Sequence, residues 1–433
     1  MKYWDEKFET MPMEEMRKFQ LEHLQKTVKW VYEKIPFYKN KFDEQGINPE
    51  TIKTLEDLSK LPFTTKTDLR DNYPFGLCAV PLSEVIRIHA SSGTTGKPIT
   101  SPYTANDLEQ WTECMARHLY AAGVRSNDIC QNAYGMGLFT GGLGFHQGAT
   151  RIGAAVIPIS SGQTERQVMI LQDFGVTVLC CTPTYALVIA ERAEEMGVKI
   201  RDLRLRIGCF GAEPWTIEMR REIEQRLGIK AMETYGLTEF GGPGTAFDCI
   251  EQSGLHINED HFIPEIIDPA TGALLPLGAK GELVLTAIRR EAMPMIRYRT
   301  RDITTLRRVG CECGRTLIKM DKVYGRSDDM LIIGGINVFP SQIESLLLDI
   351  PEIEPQYVII IRKKGYLDQL HVDVEAKKET YEGGPQKIAV VEKKVEAKMR
   401  GIIGLGVKIR LVPPKAITRS EGKAKRVIDE RKI

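Results

Sequence analysis

Residues 154–228 read AAVIPISSGQTERQVMILQDFGVTVLCCTPTYALVIAERAEEMGVKIRDLRLRIGCFGAEPWTIEMRREIEQRLG. Short β-branched runs alternate here with longer segments of helical spacing. Strands are predicted over 154–159, 176–181 and 205–210. Helices are predicted over 165–174, 184–196 and 216–227, stopped by Gly175, Gly197 and Gly228. Strand–helix alternation with glycine stops predicts a parallel sheet covered by helices.

The pattern changes on either side. Upstream, 12–45 has helical spacing through Met16, Phe19, Leu24, Val28 and Val31, and 103–123 reads as a second helix ending at Gly123. Downstream, 262–267, 281–286, 302–308 and 316–322 read as strands. After Gly325-Arg326-Ser327-Asp328-Asp329 a smaller unit begins, with strands over 330–333, 357–362, 370–375 and 407–412, a helix from Ser341 and a charged helix over 384–400. The expected class is α/β. A large N-terminal domain, 1–327, carries parallel or mixed sheets covered by helices and a β-rich subdomain. A small mobile α+β domain, 328–433, follows it.

Bulk properties narrow the function. The chain has 433 residues, 42% hydrophobic and 27% charged, enough for two domains of ordinary globular composition. Lys+Arg is 59 and Asp+Glu is 58, a net charge of +1, which gives no support for nucleic acid or a membrane surface as partner. No apolar run of about 18 residues is present, so no membrane span is expected. The start, Met1-Lys2-Tyr3-Trp4-Asp5-Glu6-Lys7, lacks a secretory apolar region. With nine cysteines, an odd number, this favours a reducing cytoplasm.

Several clusters carry chemistry. Ser91-Ser92-Gly93-Thr94-Thr95-Gly96-Lys97-Pro98 supplies hydroxyls, tight-turning glycines and a lysine charge, a combination suited to nucleotide phosphates. It is not a Walker loop, because Pro98 follows Lys97. Glu233-Thr234-Tyr235-Gly236-Leu237-Thr238-Glu239 follows a short apolar stretch. A carboxylate two or three residues beyond an exposed turn suits Mg²⁺, though a solvated loop would read the same way. Asp302, within Arg297-Tyr298-Arg299-Thr300-Arg301-Asp302, suits the entry of a strand and a ribose diol; the competing reading is a surface ion-pair cluster. Gly325-Arg326-Ser327-Asp328-Asp329 reads as a hinge or as an ordinary linker. Arg419-Ser420-Glu421-Gly422-Lys423 is a basic loop or a solvated tail.

Taken in order, these five clusters resemble the adenylate-forming acyl-CoA synthetase superfamily. The resemblance spans 91–423. Ile35-Pro36-Phe37-Tyr38, Gly254-Leu255-His256 with Glu259-Asp260, and Gly335-Ile336-Asn337-Val338-Phe339-Pro340 resemble its branch that activates phenylacetate and related aryl acids. The superfamily's usual loop has glycine before the aspartate; Arg301 stands there, as in that branch. The resemblance implies an AMP-forming ligase using ATP, Mg²⁺ and coenzyme A on a small aryl acid. Ser92, Gly93, Thr94, Thr95, Gly96 and Lys97 would contact phosphates. Gly211, Ala212, Glu213 and Pro214 would lie against adenine, with Tyr235 near it. Gly236 and Thr238 would help hold phosphate, Glu239 would bind Mg²⁺, and Asp302 would accept the ribose hydroxyls with Arg326 close by. Asp328 would be the hinge and Lys423 the catalytic lysine. Indoleacetate or benzoate as the acid, or a carrier-protein thiol as acceptor, stays open, as does a homodimer.

Two further stretches add expectations. Residues 132–148 alternate aromatic and small side chains. Tyr134, Phe139 and Gly141 there suit a flat aryl group, with Trp215 and Phe240 as further wall; a glycine-rich helix-packing segment would read the same way. Cys249, His256, Cys311 and Cys313 would make a closed tetrahedral Zn²⁺ site of structural type, or remain unliganded thiols.

Overall fold

The computed structural model describes residues 1–91, 98–327, 331–333, 336–364, 367–403, 406–421, 424 and 426–432. The chain forms two compact units. The first comprises Met1–Cys181, Arg201–Ala212 and Ile229–Lys322; the second comprises Thr182–Ile200, Glu213–Gly228 and Val323–Ile433.

In the first unit the helical stretch near the start is two helices, α1 (Met13–Lys34) and α2 (Pro36–Glu44). Pro36 divides them. It disfavours helical geometry at Ile35 and serves as the first residue of the next helix. A separate antiparallel pair follows, β1 (Arg87–Ala90) and β2 (Thr100–Tyr103). Next come α3 (Ala105–Ala121), β3 (Ile129–Asn132), α4 (Thr140–Ile152), β4 (Ala155–Ile157), α5 (Thr164–Asp173), β5 (Val178–Cys181) and β6 (Ile207–Gly211). The remaining strands are β7 (Lys230–Leu237), β8 (Gly242–Phe247), β9 (Leu255–Ile257), β10 (Phe262–Ile267), β11 (Lys280–Ala287), β12 (Tyr298–Arg307) and β13 (Lys319–Met320).

One hydrogen-bonded path runs β10-β11-β12-β13-β9-β8-β7-β6-β5-β3-β4. From β4 to β7 every pairing is parallel, as the strand–helix alternation requires. From β7 to β10 every pairing is antiparallel. The β-rich segment therefore extends the same sheet. The strand expected over 316–322 shrinks to β13, and residues 233–237 form the end of β7.

Helices α3 and α4 cover part of this sheet. Trp111, Met115 and Leu119 of α3 and Phe145 and Ala149 of α4 share a buried cluster with Cys130, Val178, Ile207 and Met232 of the strands. Helix α3 starts on a reciprocal cap, in which Thr104 Oγ1 accepts from Asp107 N at 3.0 Å and Thr104 N donates to Asp107 Oδ2 at 3.1 Å. Helix α4 tolerates its glycines because α3 lies against them. A Cβ on Gly144 would sit 2.6 Å from Trp111, and one on Gly148 would sit 2.6 Å from Met115 Cβ. The helix-packing reading of 132–148 thus holds for its second half.

In the second unit, α6 (Pro183–Glu195) and α7 (Ile217–Leu227) join α8 (Pro340–Leu348), α9 (Gly384–Ile403) and a four-stranded sheet. The sheet order is Val407–Val412, Leu367–Ala376, Ile353–Lys364, Val427–Asp429. Its core joins Ile343 and Leu347 of α8 and Val395 and Met399 of α9 to Ile359 and Val372 of the strands.

The two kinds of helical glycine make a test. Gly148→Ala forces a methyl onto α3; overpacking of about 1–3 kcal/mol outweighs a helix-propensity gain of about 1 kcal/mol, so the melting temperature should fall. Gly401, in α9, has open space around its Cβ position, so Gly401→Ala should raise stability by up to about 1 kcal/mol. Thermal melts of both variants check the pair.

Candidate functional site

Strand β7 is where pairing changes from parallel to antiparallel, and it carries most of the second cluster. Gly236 is required there, because a Cβ would meet Gly242 O at 2.0 Å. The strand then gives one tight turn, Thr238–Phe240. Glu239 is buried on that turn, and its Oε1 accepts from Tyr298 Oη at 2.9 Å. Tyr235 Oη donates to Asp302 Oδ2 at 2.6 Å. Gly211, at the end of β6, stands opposite Thr234, whose carbonyl would be 2.3 Å from an added Cβ. Gly211, Tyr235, Gly236, Thr238, Glu239 and Asp302 are therefore held within one unit, on β6, on β7 and the turn after it, and on β12.

The phosphate-loop residues Ser92, Gly93, Thr94, Thr95, Gly96 and Lys97 lie outside the described residues, as do Asp328 and Lys423. The base of that loop is described. Ser91 N donates to Ile99 O at 2.8 Å, and Ile99 N donates to Ser91 Oγ at 2.9 Å. Two residues that sequence reasoning missed fasten this hairpin beside Glu239. Arg290 donates to Glu239 O at 2.9 Å, to Ser101 Oγ at 2.9 Å and to Pro102 O at 3.0 Å. Tyr103 Oη donates to Gly241 O at 2.9 Å. Neither lies in a recognisable motif, so no sequence signal marks them.

Asp302 lies inside β12 rather than at its entry. Its neighbour Arg301 has φ 66°, in the left-handed region that glycine occupies without strain. Arg301 is held by Glu282, whose Oε1 accepts its backbone N–H at 3.3 Å and whose Oε2 lies 3.5 Å from its Nη1. This explains in physical terms why glycine is usual at that place and how arginine is accommodated here.

Two buried charged or polar groups brace the sheet from α3. Arg117 donates to Asp260 Oδ1 at 2.7 Å and to Asn258 Oδ1 at 2.7 Å, with Asp260 fully buried. His118 Nε2 lies 3.0 Å from Thr234 Oγ1, beside Tyr235 in sequence. Burial pushes its pKa down to about 3, so the ring is neutral.

The expected aryl-pocket residues partly meet. Tyr134 is buried and stacks on Phe145 at 4.7 Å, and a Cβ on Gly141 would touch Tyr134 at 3.4 Å. Phe139 is exposed at the start of α4. Phe240 packs on Phe262 and Tyr298. A separate cleft in this unit is lined by Tyr103, Trp111, Phe240, Phe262 and Arg290, without Tyr134, Phe139 or Gly141.

The adenine-motif residues divide. Gly211 and Ala212 belong to the first unit, Glu213 and Pro214 to the second. Within the second unit Glu213 Oε1 accepts from Thr184 N at 2.8 Å, and its Oε2 accepts from Ala424 N at 3.1 Å. Burial pushes the Glu213 pKa up, against the nearby Arg426 charge. Trp215 is buried there with the Arg220 guanidinium 5.2 Å from its ring. Arg326 forms part of the short strand Gly325–Arg326. In the first unit, Cys249, His256, Cys311 and Cys313 come together, their donor atoms within 4.8 Å of one another.

Known proteins resemble this chain over most of its length. The profile for AMP-binding enzyme matches residues 18–289, and that for the AMP-binding enzyme C-terminal domain matches 335–431. The chain belongs to the AMP-binding enzyme family. It is 48% identical to a phenylacetate-coenzyme A ligase of Thermus thermophilus, over 98% of each chain. It is 47% identical to the Escherichia coli enzyme of the same name, over 98% of this chain and 97% of that one. A solved 2-hydroxyisobutyryl-CoA ligase, in the postadenylation state with an acyl-AMP, superposes with a TM-score of 0.94 at 30% identity, covering 100% of this chain and 93% of that one.

Substitutions at two positions test this geometry. Arg301→Ala and Arg301→Gly both lose the side-chain contact to Glu282 and keep the backbone one, but only alanine keeps the left-handed penalty. The glycine variant should be the more stable by about 1 kcal/mol in chemical denaturation, and equal stabilities would contradict the backbone geometry. For His118, the unfolded ring takes up a proton near pH 6.5 and the folded ring only near 3. Its contribution is therefore lost progressively as pH falls below about 6.5, with a limiting slope of about 1.4 kcal/mol per unit. His118→Gln should flatten the acid side of a stability–pH profile between those values.

Proposed function

We propose that this chain is an ATP-dependent acid–thiol ligase that converts phenylacetate, or a closely related aryl acid, to its CoA thioester. The observation that carries this reading is near full-length similarity to phenylacetate-coenzyme A ligases. The hydrogen bonds that join Tyr235 to Asp302 and Glu239 to Tyr298 within one unit support it.

A carboxylate is a poor acyl donor because its leaving group would be oxide. In the first step a carboxylate oxygen attacks the α-phosphorus of ATP, the α–β phosphoanhydride bond breaks, and pyrophosphate leaves. In the second, the CoA sulfur attacks the acyl carbonyl, AMP leaves, and the thiol proton passes to solvent. Negative charge builds up around phosphorus in the first step, so fixed cationic and N–H groups accelerate it.

Residue roles follow. Ser92, Gly93, Thr94, Thr95, Gly96 and Lys97 hold the β- and γ-phosphates. Gly211, Ala212, Glu213 and Pro214 face adenine, with Tyr235 alongside. Gly236 and Thr238 hold phosphate, and Asp302 accepts the ribose hydroxyls with Arg326 nearby. The buried Glu239 carboxylate offers a hard oxygen donor that would hold Mg²⁺, which would supply charge neutralisation at the phosphates when bound. Tyr134, Phe139 and Gly141 form the aryl pocket. Lys423 neutralises charge during adenylation and would obstruct the thiol afterwards. Asp328 therefore serves as the hinge on which a C-terminal domain, 328–433, turns against the N-terminal domain, 1–327. The cysteine–histidine cluster would hold a structural Zn²⁺. The nine free cysteines suit a reducing cytoplasm, and no helix among the described residues is long and apolar enough to cross a membrane.

ATP–pyrophosphate exchange across a panel of aryl acids tests the reading. Exchange should be fastest with phenylacetate, and absence of exchange with every aryl acid overturns the proposal. CoA-dependent AMP release then separates CoA from a carrier-protein thiol as acceptor. Lys423→Ala should lower exchange by about 10²-fold or more while largely sparing thioester formation from supplied phenylacetyl-AMP. Equal loss in both half-reactions contradicts the role given to Lys423.

A further inference from the structure

Cys249 Sγ lies 3.7 Å from Cys311 Sγ, and Cys313 Sγ lies 3.5 Å from His256 Nε2. Disulfide sulfurs sit about 2.05 Å apart, so the first pair is not bonded. A tetrahedral zinc ion, with Zn–S about 2.3 Å and Zn–N about 2.0–2.1 Å, sets neighbouring sulfurs about 3.8 Å apart and sulfur to nitrogen about 3.5 Å. Both observed spacings are edges of that tetrahedron. Three of the four residues are buried and Cys311 is partly so. Four protein donors leave no open position, which is the pattern of a structural site rather than a catalytic one.

The placement of the four ligands says what the ion would hold. Cys249 follows β8 and His256 lies in β9, whereas Cys311 and Cys313 lie between β12 and β13. The two halves are far apart in sequence, with Cys249 and Cys311 separated by 62 positions. A cross-strand row runs Thr234, Phe247, His256, Lys319, Arg307, from the strand of Tyr235 to the strand of Asp302. Its weakest member is β13, which is two residues long. The start of the chain also reaches this turn: Tyr3 Oη donates to Cys313 O at 3.2 Å, and Arg315 Nε donates to the buried Glu9 at 2.6 Å.

We infer that a zinc ion bound by Cys249, His256, Cys311 and Cys313 staples the segment between β8 and β9 to the segment between β12 and β13, and so positions Tyr235 and Asp302 for the nucleotide. The effect on the nucleotide rests on the role proposed for Asp302; the metal site does not. These four are positioning residues, since none of them touches the reacting groups.

Elemental analysis of the purified full-length protein, with zinc supplied during expression, should give about one zinc per chain, and X-ray absorption should show three sulfur ligands and one nitrogen. Absence of zinc, or a different ligand set, overturns the site. Cys311→Ser should lose zinc, melt at a lower temperature and show a several-fold higher KM for ATP in pyrophosphate exchange. Its kcat and its KM for the aryl acid should stay near wild type. His256→Cys, which keeps four ligands, should retain zinc and the wild-type KM for ATP. If Cys311→Ser is not recovered folded, wild-type protein stripped by a chelator and then reloaded with zinc gives the same readouts. Zinc loss that leaves the KM for ATP unchanged, or that lowers kcat with no effect on KM, overturns the positioning role. If the protein holds zinc but shows no exchange with any aryl acid, the proposed reaction fails while the metal site stands. Calorimetric titration with ATP then decides the positioning role by whether zinc removal weakens binding.

Discussion

Strand β7 is bonded in parallel to β6 on one side and antiparallel to β8 on the other, and the site depends on that arrangement. Gly211 and Gly236 let the neighbouring backbones approach at distances no side chain would allow. Tyr235 thereby reaches Asp302 three strands beyond β8 on the sheet path, and the chain can turn sharply at Gly241 to place Glu239 under Tyr298. A parallel sheet puts its functional loops at the carboxyl ends of its strands. Here the change to antiparallel pairing at such a strand end adds a second set of side chains from the return strands.

This junction is braced by buried charge. Arg117 and Asp260 satisfy one another in the interior, and Asp260 also faces His261, whose pKa rises to about 9. Burial alone would lower the His261 pKa; its interactions with Cys114 and with the Asp260 carboxylate more than offset it. Removing one member of such a set leaves an uncompensated charge, at a cost of about 3–5 kcal/mol. The network therefore fixes α3 to the segment after β9 firmly, and with it His118 against Thr234. The strained backbone at Arg301 is held in the same way, by Glu282 from the adjacent strand. Backbone strain of this kind persists where surrounding contacts over-determine it.

How legible the protein was in its sequence varied from residue to residue. The alternation over 154–228 and its glycine stops gave β5, α6, β6 and α7 nearly to the residue, because period and punctuation are local properties. Asp302, Tyr235 and Glu239 were recognisable from short motifs whose residue types are themselves the chemistry. Arg290, Tyr103, Tyr298 and His118 were not identified as site residues. Their importance comes from what they touch across the sheet, and an arginine pair or a helical histidine has no distinguishing local pattern. Residues 132–148 were ambiguous for the same reason: glycines that admit a ligand and glycines that admit a helix look alike until α3 is seen against Gly144 and Gly148.

By itself the sequence determined the class of fold, the order of the nucleotide-directed motifs and the identity of the four candidate metal donors, since each depends on residue type and spacing along the chain. Only the tertiary structure decided that the β-rich segment continues the main sheet, that Arg301 occupies a conformation suited to glycine, and that Cys249 and Cys311 stand at the separation of a tetrahedral edge. Those facts depend on register and on contacts between residues tens to hundreds of positions apart, which local propensity does not encode.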